Sequence, residues 1–124
     1  MSYTTSFNKE DEIIEIRISG SATREEHYAA LGDAIQLCQE NGCAKLLIDL
    51  REMLSTRFTT TRCFTFGRSV ADKPPFVRIA HVMPADAKSR EDVRFVSTIE
   101  ANRGIASREF ETIDDAKTWL IGKK

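Results

Sequence analysis

No stretch of this 124-residue chain approaches the roughly 20 consecutive apolar residues that a helix needs to cross a bilayer, so no transmembrane segment is expected. The N-terminus, Met1-Ser2-Tyr3-Thr4-Thr5-Ser6, lacks the basic-then-apolar order of a secretory signal, and a cytoplasmic location follows as the expectation. Cysteine is scarce. Cys38, Cys43 and Cys63 are odd in number and form no CxxC pair, which argues against a disulfide framework and predicts free thiols in a reducing compartment. Gly20, Gly32, Gly42 and Gly67 are too dispersed for a G-x-G-x-x-G turn or a P-loop, so those phosphate cradles are excluded. No G-x-S-x-G elbow places a serine nucleophile over a sheet. His27 and His81 have no histidine or cysteine nearby at ligand spacing, so neither a metal nor another cofactor is expected.

What remains is the composition of an ordinary globular protein: 41% apolar residues are too many for a disordered chain, and 30% charged residues suit a wet surface. The length fits one domain over residues 1–124 with its own core. The net charge of −1 disfavours nucleic acid as a partner. Charge is unevenly placed, however: residues 1–50 carry 9 acidic and 4 basic groups, whereas residues 51–78 carry 2 acidic and 6 basic, which makes the middle locally positive.

Apolar and charged residues alternate from Ile14 to Ser19, the period of a strand with one wet face, and Tyr3 to Asn8 can pair with it as a hairpin. Thr23-x-x-Glu26 is a capping box. Tyr28, Leu31, Ile35 and Cys38 then recur at helical spacing up to Asn41-Gly42. Leu46 to Leu50 barely alternates, as expected of a central strand covered on both faces. A second helix can start with Thr59 as N-cap and Phe58 packing on Cys63, ending before Pro74-Pro75. Phe76 to Met83 is another apolar strand. Ser89-x-x-Asp92 caps a helix carrying Val93, Val96 and Ile99 that stops at Arg103-Gly104, and Ala106 to Glu111 reads as an edge strand. Thr112-x-x-Asp115 caps a last helix with Ile113, Ala116 and Leu120 inward. The order β(β)αβαβαβα predicts an α/β fold: a mixed, mostly parallel sheet with helices packed over it and an antiparallel first pair.

That order, together with Leu46 to Leu50 and the polar stretch after it, Arg78-Ile79-Ala80-His81-Val82, and the ending Arg108-x-Phe110-x-x-x-x-Asp115-Ala116-x-x-Trp119-Leu120, resembles the STAS family. Bacterial anti-sigma-factor antagonists (SpoIIAA-like) typify that family, and small STAS/SEC14-like domains are related to it. The resemblance spans nearly the whole chain and implies a non-enzymatic regulatory module that binds a protein partner. In antagonists of the sporulation type, an Asp-Ser-Ser/Thr-Gly motif opens the helix after the third strand, and phosphorylation of its serine blocks partner binding. Here the region reads Ser55-Thr56-Arg57-Phe58-Thr59-Thr60-Thr61, without the aspartate or the glycine, so the phosphoacceptor does not carry over.

The same region holds the candidate interaction or anion-binding residues. Thr59, Thr60 and Thr61 fall where a helix N-terminus presents free N–H groups, flanked by Arg57 and Arg62, an arrangement that can hold an anion or phosphate. The plain alternative is one capping threonine, two solvated ones, and arginines covering apolar surface with their stems. Phe64 points about 120° from the stripe of Cys63, Phe66 and Val70 at about 100° per residue, which marks it for a protein partner, a homodimer or a lipid-binding groove. A lone exposed aromatic is also common on ordinary surfaces. Asp49, near a strand end, suits hydrogen bonds to loop amides. The alternative to a protein-interaction module is a small-ligand or lipid carrier of SEC14-like type. An enzyme is the third class, because the isolated hydroxyls, acids and histidines show no spacing that chemistry requires; His81 beside Asp49 at one cleft would favour it.

Overall fold

The structure is a computed structural model and describes residues 3–20, 23–54, 77–102 and 104–122. Within them lie strands β1 (Tyr3–Asn8), β2 (Ile13–Gly20), β3 (Lys45–Met53), β4 (Arg78–Val82) and β5 (Ala106–Phe110), with helices α1 (Arg24–Asn41), α2 (Ala87–Asn102) and α3 (Ile113–Ile121). The strands form one sheet in the order β1-β2-β3-β4-β5, antiparallel at β1–β2 and parallel elsewhere. This is the mixed, mostly parallel α/β arrangement expected from the sequence.

Alternation along the strands divides the core into two layers. Ile14, Ile16 and Ile18 of β2, Leu46, Ile48 and Leu50 of β3 and Ile79 of β4 pack with Ala30, Leu31, Ala34 and Cys38 of α1 and Val93 of α2. Ile13, Leu47, Ala80 and Val82 face the other way, onto Ala116 and Leu120 of α3. Central β3 is therefore apolar on both sides, and each such buried side chain contributes about 1.5–3 kcal/mol relative to exposure.

The capping signals at Thr23 and Thr112 are realised. Thr23 Oγ1 accepts the N–H of Glu26 at 3.1 Å, and Glu26 Oε1 accepts the N–H of Thr23 at 2.8 Å. Thr112 Oγ1 accepts the N–H of Asp115 at 3.1 Å. Gly42 ends α1 at φ 61°, a left-handed turn that a side chain would strain.

Three expectations need correction. The inward stripe of α1 is His27, Ala30, Leu31, Ala34 and Cys38, while Tyr28 and Ile35 are only half-buried. Small Ala30 and Ala34 let the helix sit close to the sheet, which places the larger side chains at its flanks. The capping side chain of α2 is Asp86 rather than Ser89: Asp86 Oδ2 accepts the N–H of Ser89 at 2.9 Å, and Ser89 is buried within the first turn. Asp86 stands one residue before the helix, where a short carboxylate reaches the orphan N–H groups and complements the dipole. The strand expected to run to Met83 is Arg78–Val82. Phe76 and the helix expected after Thr59 lie outside the described residues.

Candidate functional site

Arg57, Thr59, Thr60, Thr61, Arg62 and Phe64 all lie outside the described residues. The structure fixes the point from which that segment departs. β3 runs up the middle of the sheet, its end is held where the N–H of Leu54 donates to the carbonyl of Gly20 at 2.9 Å, and the Leu54 side chain is 70% exposed.

Asp49 and His81 are not brought together. Asp49 is paired in register with Val82, and Ile48 with His81, so the two side chains project from opposite faces of the sheet. Asp49 accepts an amide two residues on within β3 itself, the N–H of Arg51 at 3.1 Å, rather than the loop amides expected. It is also gripped by the same arginine, with Nε and Nη2 each at 3.0 Å, and has Arg17 Nε at 3.8 Å. Burial pushes the Asp49 carboxyl up, but the Arg51 hydrogen bonds and the two guanidinium charges outweigh it and hold the pKa below the ordinary value. A groove of about 340 Å³ opens beside this group, lined among others by Thr4, Ser6, Glu15, Arg17 and Arg51. Its charges are matched within the chain: Arg17 also donates to Glu52 at 3.2 Å, and Glu15 receives Lys117 Nζ at 3.6 Å.

On the opposite face, sequence reasoning missed a buried polar chain. His81 Nε2 lies 2.9 Å from Glu100 Oε1, with side-chain exposures of 3% and 0%. Ser107 Oγ donates to the same Glu100 oxygen at 2.8 Å, Ser107 Oγ and Ser97 Oγ are 2.9 Å apart, and Ser97 Oγ donates to Glu109 Oε2 at 2.8 Å. The signal available was Glu100 seven residues after Val93, on the inward stripe of α2, together with Ser107 and Glu109 alternating on β5. His27, in the first turn of α1, is a separate buried imidazole whose pKa is lowered to about 4 by burial, against the opposing pull of Glu26. Cys38 and Cys43 are both buried, and Cys43, a free thiol, donates its Sγ–H to the carbonyl of Glu12 at 2.9 Å. Among the described residues no His/Cys/Asp/Glu group is arranged to hold a metal, and no helix is long and apolar enough to cross a membrane.

Strand order, the single antiparallel pair and helices on both faces define a small α/β protein with a SpoIIAA-like fold. Among solved structures the chain is similar to an uncharacterized protein of the DUF3478 family with a SpoIIAA-like fold from Shewanella loihica PV-4. The TM-score is 0.57 and the identity 18%, over 95% of this chain and 91% of that chain. At this identity the similarity shows the fold alone. No family model and no curated protein matches the chain.

Proposed function

We propose that residues 1–124 form one STAS-like domain acting as a non-enzymatic, cytoplasmic regulatory module, which engages a protein partner through the loop and helix expected over Ser55 to Arg68. The observation that carries this reading is the exit of central β3 at exposed Leu54, beyond the carboxyl ends of parallel strands, where open α/β sheets present their binding segments. The chain that follows, residues 55–76, contains four of the seven phenylalanines and four basic residues against one acidic, a composition suited to an acidic and apolar partner surface. The separation of Asp49 from His81 across the sheet supports a non-enzymatic reading, because it removes the one acid–base pairing the sequence suggested. A photo-crosslinking amino acid placed at Phe64 in cells should form a discrete adduct with another protein, while the same group at exposed Ala29 on α1 should not. Equal labelling from both positions would contradict the proposal.

A small-ligand carrier is the second reading, and the groove beside Asp49 is the observation that favours it. Its arginine, glutamate and hydroxyl lining suits a polar ligand or small anion better than a lipid chain. Native mass spectrometry of freshly purified protein decides between the two: a bound small molecule favours the carrier, and a ligand-free mass favours the interaction module.

A further inference from the structure

The buried chain on the α1 and α2 side of the sheet has a proton count that its geometry exposes. Three oxygen–oxygen contacts run in series: Glu109 Oε2 to Ser97 Oγ at 2.8 Å, Ser97 Oγ to Ser107 Oγ at 2.9 Å, and Ser107 Oγ to Glu100 Oε1 at 2.8 Å. Two serine hydroxyls supply only two protons for these three contacts. A third proton, on the carboxyl at either end, would complete the series. With that proton on Glu109, each hydroxyl donates inward and Glu100 is a carboxylate. With it on Glu100, both hydroxyls point outward and Glu109 is the carboxylate. Glu100 Oε1 also faces His81 Nε2 at 2.9 Å, so the inner end continues onto the imidazole.

The two ends differ in their access to water. Glu109 is exposed on edge strand β5, whereas Glu100 and His81 are sealed beneath α2. Among the described residues Glu100 Oε2 and His81 Nδ1 have no hydrogen-bond partner, and no second polar route to the pair is seen among them. The groups facing His81 are Glu100 from α2, Glu109 as its register partner on β5, and apolar Ile48 on β3.

We propose that Glu109, Ser97, Ser107 and Glu100 form a proton path between solvent and His81, through which the buried pair changes its protonation while the protein stays folded. In one passage a proton binds Glu109 Oε2 from water and is handed to Ser97 Oγ. Ser97 releases its own proton to Ser107, Ser107 releases its own to Glu100 Oε1, and Glu100 passes that proton to the bare Nε2 of a neutral His81 whose hydrogen is on Nδ1, leaving an imidazolium beside the Glu100 carboxylate. One proton enters, one arrives, and both hydroxyls end reversed. The reverse passage resets them.

The test is solvent exchange of the His81 Nε2–H, followed by NMR on protein labelled with 15N in its two histidines and compared with backbone amide exchange in α2. In the unmodified protein the ring proton should exchange faster than the slowest α2 amides. Ser97→Val should slow it to the rate of those amides, and the isosteric Ser97→Thr, which keeps the hydroxyl, should preserve fast exchange. Ser107→Ala cuts the next link and should reproduce the loss if Ser97→Val fails to fold. Ring exchange no faster than the α2 amides in the unmodified protein, or unchanged exchange in folded Ser97→Val, would overturn the proposal.

Discussion

Asp49 and His81 stand on neighbouring strands one register step apart, and that single step sends one carboxylate to the arginines and the imidazole to Glu100. The sequence showed both residues and the alternation that separates them. It did not show Glu100, because a glutamate beside the Val93, Val96 and Ile99 stripe reads as a boundary of the buried face until a basic or hydroxyl partner is seen opposite it. His27 carries a testable consequence at the same scale. Its pKa falls from the ordinary 6.5 to about 4 because burial disfavours the imidazolium. Below pH 6.5 the unfolded chain therefore takes up a proton that the folded protein refuses, and stability declines as pH drops from 6.5 towards 4. The loss attributable to this residue approaches about 3 kcal/mol. Urea unfolding of the protein and of His27→Gln across that window should show a stability difference that shrinks or reverses towards the acid end. A difference independent of pH would contradict the assignment.

Helix ends were the most legible elements, since a threonine three residues before a glutamate or aspartate satisfies orphan N–H groups by local chemistry alone. Thr23 and Thr112 act as that chemistry demands. Ser89 did not, because the helix is capped three residues earlier, where the charged acceptor Asp86 takes the N–H of Ser89 itself. The rotation of α1 was legible only approximately: its spacing admits two adjacent stripes, and close approach to the sheet selects the one with Ala30 and Ala34. Thr23→Ala removes one half of the reciprocal capping box and should cost about 1 kcal/mol in chemical denaturation, with an unchanged fold by circular dichroism. Gly42→Ala, forced to φ 61° with open space around the new methyl, should cost about 1–2 kcal/mol by strain alone. A neutral result for either would show that α1 is fixed by packing rather than by its ends.

For the whole molecule, the order of apolar and alternating segments was enough to give the mixed sheet and its single antiparallel pair, because a strand covered on both faces and a strand with one wet face differ visibly in sequence. The same logic does not reach function, which depends on which side chains meet. The groove, the buried chain and the β3 exit are products of register and helix placement, and the residues expected to meet a partner follow that exit. The most direct measurement is partner capture from cell extract by the protein and by Phe64→Glu, with circular dichroism on both. The unmodified protein should retain a partner that is lost from a variant keeping its folded spectrum; undiminished capture by folded Phe64→Glu would contradict a partner surface at this segment.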